Sequence, residues 1–138
     1  QNIDVDFLLI DTQGSLTKEM AEFLFQSSLI ITPCRVSRDD IVGQGWIEVF
    51  LKQSNRDIKK APILTVLNGV NKRSSILSHV IEQLKEDGVQ VAETCISQRV
   101  CFAETNVNKI SVIGYNKHAT KEIVDLTNEA LNLIKSEI

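Results

Sequence analysis

Val5–Gly14 reads VDFLLIDTQG: four consecutive apolar residues, Phe7-Leu8-Leu9-Ile10, stop at a carboxylate, Asp11, and a small-residue turn follows at once. A continuous apolar run bounded by a turn is the pattern of a strand buried on both faces, as in parallel sheets. In open α/β sheets ligands bind beyond the carboxyl ends of the strands, and Asp11 would stand at that edge. A carboxylate there can hold a magnesium ion, directly or through water, and Gly14 lets backbone N–H groups approach a phosphate closely. The same residues also suit a plainer role, an Asp that opens a turn or caps the next helix.

Downstream, strand and helix patterns alternate. Thr17–Gln26 has a short apolar face, Met20, Ala21, Phe23 and Leu24, at helical spacing. Ser28–Cys34 (SLIITPC) is a second β-branched run. Ser37 and Asp40 have the spacing of a capping box ahead of a helix over Ile41–Gln53, in which Gly43 and Gly45 each cost about 1 kcal/mol relative to Ala. Ala61–Asn68 (APILTVLN) is a third strand, ending at the turn signal Asn68-Gly69. A helix then runs from about Asn71 to Lys85 and stops at Gly88. Val89–Ile96 (VQVAETCI) is a fourth strand, residues 97–116 are irregular, and Ala119–Glu137 is a terminal amphipathic helix. The alternation predicts one α/β domain over residues 1–138, a mostly parallel sheet flanked by helices.

Composition narrows the class. The 138 residues are 43% hydrophobic and 24% charged with a net charge of −3, which fits a soluble globular domain and argues against a strongly basic nucleic-acid binder. The charge is uneven, however. Residues 1–25 carry five carboxylates against Lys18, and residues 52–73 carry six cations against Asp57, so a local basic surface is compatible with the acidic total. The three cysteines, Cys34, Cys95 and Cys101, are odd in number and form no C-x-x-C pair; they read as reduced, buried thiols of a cytosolic protein. No apolar run approaches the roughly 18 residues of a membrane span, and no signal peptide is visible. The chain opens at Gln1 almost directly on the first strand pattern, and its single methionine is Met20, so the expectation is that upstream sequence is missing.

Three strand ends place polar residues at one rim: Asp11, Cys34-Arg35 and Asn68. The Asn68 amide can pair with a base edge, or simply form the turn before Gly69. His79 and His118 make no metal-ligand pattern, and no Ser/His/Asp arrangement is recognisable. The stretch from Arg99 to Lys121 carries Arg99, Lys109, Lys117 and Lys121 against Glu104; it is either a solvated loop or a polyanion contact.

The succession DFLLIDTQG, SLIITPCRVSRDDIVG, APILTVLNGVNKRS and VQVAETCISQRVCFAETNVNKISVIGYNKHATKEIVDLTNEAL resembles the ParA/MinD family of deviant Walker A ATPases, most of all its plasmid and chromosome partition ATPases of the ParA type. The likeness spans essentially the whole chain and corresponds to the portion after that family's P-loop. It implies a P-loop NTPase-like fold whose N-terminal part is missing here, with ATP and Mg2+ as cofactors of the full-length protein. Asp11 matches the Walker B aspartate, catalytic through its organisation of magnesium and the attacking water. Thr12 and Gly14 match the turn facing the γ-phosphate, Asn68 the residue approaching adenine, and Ile96–Glu104, with Ser97 and Arg99, the segment covering the base. Arg99, Lys109 and Lys117 fall where members bind DNA nonspecifically. The resemblance further implies an ATP-dependent homodimer, a ParB-like adaptor, no membrane partner, and a bacterial, cytoplasmic and plasmid-segregation setting.

The departures are as specific as the matches. The lysine-bearing P-loop K-G-G-x-G-K-[ST] is absent from these residues, as is the family's second aspartate motif. Thr12-Gln13 stands where the family often has a double proline, and Ser97 where the base-covering segment usually has one. Without the P-loop's N–H groups and lysine, the 138 residues alone are expected neither to bind ATP tightly nor to hydrolyse it. The alternative is a non-catalytic α/β interaction module that has lost nucleotide binding. A phosphoacceptor receiver domain would need an acid where Asn68 stands.

Overall fold

The structure is a computed structural model and describes residues 4–12, 23–53 and 61–136. Three strands, β1 (Ile30–Cys34), β2 (Ile63–Val70) and β3 (Ile96–Ser97), form a small parallel sheet in that order. Helices α1 (Arg38–Gln53), α2 (Ser75–Glu86), α3 (Val100–Val107) and α4 (Lys117–Ser136) connect and flank it. Residues 23–26 add a helical turn; the rest of the predicted Thr17–Gln26 helix lies outside the described residues. The α/β class and the parallel pairing are as the alternation predicted.

The continuous apolar character of β2 has a direct cause: both of its faces are covered. Leu64 and Val66 point to one side, where Ala92 and Ile96 join Phe102 of α3 and Ile123, Leu126 and Ala130 of α4. Leu67 and Val70 point to the other, against Cys34, Val80, Leu84 and Val89, with Ile41 of α1 packed behind. Thr65, on the second side and fully buried, shares hydrogen bonds with Thr32 (3.0 Å) and Gln44 (3.2 Å). This polar thread ties β1, β2 and α1 through the core.

Local chemistry sets the helix ends. The Ser37 hydroxyl accepts the Asp40 N–H at 3.2 Å, as a capping box requires. The Asp40 carboxylate instead reaches the Arg35 N–H at 2.9 Å, fixing the exit from β1. At the far end of α2, Gly88 (φ 78°) allows the paired bonds Val89 N–H to Leu84 C=O and Gly88 N–H to Lys85 C=O, a Schellman closure.

Three expectations need correction. Residues 5–10 are not a strand: they run without regular secondary structure and are exposed, Leu9 by 93%. A doubly buried strand needs a ladder partner and two covering layers. Among the described residues β1 pairs only with β2, and residues 5–10 join neither. The fourth strand shrinks from Val89–Ile96 to Ile96–Ser97 plus a single bridge between Val91 and Thr65. Glu129 of α4 takes the intervening amides, accepting the Glu93 N–H at 2.7 Å and the Thr94 N–H at 3.2 Å, and so competes with the sheet for them. Finally, residues 97–116 are not irregular throughout. They contain α3, which buries Cys101 and Thr105 on one face and back-bonds the Thr105 hydroxyl to the Cys101 carbonyl at 2.8 Å.

Candidate functional site

The carboxyl ends of β2 and β3 make one rim. Asn68 pairs in register with Ile96, and Val70 with Ser97; the extra residue between them is Gly69, at φ 68°. This bulge bends the end of β2 and leaves Asn68 exposed at the rim. After β2, the Asn71 side chain accepts the Arg73 N–H at 3.1 Å and its carbonyl accepts the Ser74 N–H, a turn that presents Lys72. After β3, the Gln98 N–H bonds the Val70 carbonyl at 2.9 Å, and Arg99, extended at φ −142°, leads into α3.

One carboxylate gathers these pieces. Glu122 of α4 is buried and accepts four hydrogen bonds: Lys72 Nζ at 2.8 Å, the Ser97 hydroxyl at 2.7 Å, the Ser97 N–H at 3.0 Å and Arg99 Nη2 at 3.2 Å. Burial pushes its pKa up. The bonds from Lys72, from the Ser97 hydroxyl and amide, and from Arg99 outweigh that and lower it from 4.5 to about 2. Two cations therefore share this one anion. Arg99 Nε is buried with no hydrogen-bond partner among the described residues.

Of the sequence-derived site residues, the structure brings together Asn68, Ser97 and Arg99. Asp11 and Thr12 are exposed on the segment that does not join the sheet, and Gly14 lies outside the described residues. Magnesium bound to a nucleotide takes one or two carboxylates, the rest of its shell being phosphate and water. Asp11 meets that number, but nothing described fixes it at the rim. No group of three or more His, Cys, Asp or Glu converges on a metal position among the described residues. Lys109 and Lys117 are exposed. Arg99 and Lys109 stand beyond opposite ends of α3, whose eight residues span roughly 12 Å.

The cysteines are buried and free. Burial, and secondarily Asp40, pushes the Cys34 thiol up to about 11, and burial also raises Cys95, so neither is a thiolate nucleophile at neutral pH. An open groove of about 420 Å³ lies away from the rim, between the start of β2 and α4, lined by Leu64, Gln90, Glu93, Glu129 and Asn132 among others. Its carboxylate Glu129 is already occupied by two backbone amides.

Sequence reasoning missed Glu122 and Lys72. The signal for Glu122 was available: it lies three residues after Ala119 and four before Leu126, on the face that helical spacing turns inward, where a charge needs partners.

No protein-family model matches the chain, and no curated protein matches it. No helix among the described residues is long and apolar enough to cross a membrane.

Proposed function

We propose that this chain is part of a ParA-type partition ATPase, a P-loop NTPase-like switch that acts together with a lysine-bearing P-loop these 138 residues do not contain. The observation that carries the reading is the pairing of Asn68 with Ile96, which sets the candidate adenine-reading amide beside the candidate base-covering segment at the carboxyl ends of two parallel strands. In this reading Asn68 bonds the edge of the base, and Ser97–Arg99 closes over it. The phosphates are held by the P-loop, and hydrolysis proceeds by positioning and electrostatics. ATP drives dimerisation. The dimer binds DNA without sequence preference and answers to a ParB-like adaptor. Arg99 is engaged at the rim by Glu122, so the DNA contact falls mainly to Lys109 and Lys117.

Calorimetry of ATP–Mg binding tests this directly. The full-length protein should bind, and the 138-residue form should not. Failure of the full-length protein to bind ATP refutes the reading. Its DNA affinity should fall steeply with salt, as a phosphate-contacting surface requires.

A second reading, the non-catalytic α/β interaction module, is favoured by one observation: Val5–Ile10 is exposed and Asp11 stands off the sheet. The same calorimetry separates the two.

A further inference from the structure

Glu122 is an expensive way to hold a helix against a sheet. An apolar side chain at that position would pack α4 without burying a charge, and replacing buried ionic groups by apolar ones is often neutral or stabilising. The arrangement achieves something packing cannot. Of the four bonds to Glu122, two come from Ser97 and one from Arg99, so the rim segment is held in position as well as in charge. The fourth, from Lys72, ties the turn after β2 to the same point. Asn68 is joined to this assembly through its pairing with Ile96. The two strand ends flanking the rim thus share one anchor on α4. Arg99 Nε, buried and without an acceptor among the described residues, adds a second sign that the cluster is arranged for more than its own stability, because a buried donor without an acceptor is otherwise unfavourable.

We infer that Glu122 is a positioning residue for base recognition: by holding Ser97, Arg99 and Lys72 together, it sets the geometry with which the rim between Asn68 and Ser97 accepts adenine in preference to guanine. This rests on the ATPase reading above and deepens it. Glu122 need not touch the nucleotide. It makes the Ser97–Arg99 segment rigid, so that a base which fits is bound without the cost of ordering that segment. A glutamine here keeps the shape but offers one oxygen, and its NH2 faces donors on Lys72, Ser97 or Arg99.

The readout is base discrimination. ATP and GTP carry the same triphosphate, so the ratio of their affinities cancels whatever Lys72 and Arg99 do to phosphate charge. Calorimetry with ATP–Mg and GTP–Mg on the full-length protein compares the unsubstituted form, Glu122→Gln and Lys72→Met, with thermal unfolding of each recorded alongside. The expected result is an ATP preference in the unsubstituted protein that falls about tenfold in Glu122→Gln and about threefold in Lys72→Met, with GTP affinity nearly unchanged. If Glu122→Gln does not fold, Lys72→Met decides on the same criterion. Lowered thermal stability with an unchanged ATP-to-GTP ratio would overturn the inference and leave Glu122 a structural staple. An unsubstituted protein that binds neither nucleotide would overturn the ATPase reading and this inference with it, a result distinguishable from the first.

Discussion

Glu122 Oε2 lies 3.0 Å from the backbone nitrogen of Ser97, twenty-five residues earlier in the chain, and this bond locks the amino-terminal part of α4 to the end of β3. A backbone amide cannot be mutated away, so the carboxylate is the controllable half of the pair.

Acid should release this lock. The folded pKa of Glu122, about 2, lies below the ordinary 4.5, so its contribution to stability is present above the unfolded value and is lost as pH falls toward 2. The shift corresponds to roughly 3 kcal/mol. Urea unfolding of the 138-residue chain and of Glu122→Gln between pH 2 and 7 measures it. The stability gap should be constant above about pH 5 and close toward pH 2. A gap that stays constant to pH 2 would show that Glu122 is not the group responsible.

The polar thread through the core gives a second expectation. Thr65 donates to Gln44 Oε1 and lies 3.0 Å from the Thr32 hydroxyl, with all three side chains buried. Thr65→Val matches the volume but removes the central hydroxyl, leaving two buried groups without that partner. The loss should be about 1–3 kcal/mol, and Thr65→Ser should lose less. Denaturant midpoints with unchanged slopes would read this out.

The body of β2, Ile63–Asn68, was legible because its burial on both faces is written as an unbroken apolar run, although the strand starts two residues later and ends two later than the Ala61–Asn68 pattern. The start of α1 and the end of α2 were legible for a different reason: Ser37 and Gly88 act within a few residues of themselves. The misses are nonlocal. Glu129 reaches back to residues 93–94 and dissolves most of a strand whose own pattern is sound. The run Phe7–Ile10 states that it prefers burial but cannot name the partner that would bury it. At the rim, Asn68 was legible as the polar end of a strand and Arg99 as one of a run of cations, and Ser97 was reached through resemblance, whereas Glu122 is recognisable only as a charge on an apolar helix face whose partners come from two distant turns.

Lys109 offers a test that separates folding from DNA contact. It sits at φ 53° just past α3, where the Lys109 N–H bonds the Asn106 carbonyl and the Ile110 N–H bonds the Thr105 carbonyl. This is the closure that normally takes glycine, and a side chain in the left-handed region is unfavourable by roughly 1 kcal/mol. Lys109→Gly should therefore raise stability by up to about 1 kcal/mol. If Lys109 contacts phosphate in the full-length protein, the same substitution should reduce the salt slope of DNA binding by about one. A more stable variant with an unchanged slope would remove Lys109 from the DNA surface while leaving its backbone role intact.

Leu9 and Leu67 are the same residue type in opposite surroundings, and comparing them tests how residues 5–10 are used. Leu67 is fully buried in β2, and Leu9 is 93% exposed. In the 138-residue chain, Leu67→Ala should cost about 2–5 kcal/mol, as large-to-small core substitutions do. Leu9→Ala should cost less than about 0.5 kcal/mol, as at other unpacked surface positions. The ParA-type reading requires a different result in the full-length protein, where Phe7–Ile10 would be a doubly covered strand ending at Asp11. There Leu9→Ala should cost about 2 kcal/mol or more. Denaturant unfolding of both substitutions in both forms gives the comparison. A Leu9 that remains neutral in the full-length protein would mean that the strand never forms and that Asp11 never reaches the rim, leaving the interaction-module reading standing.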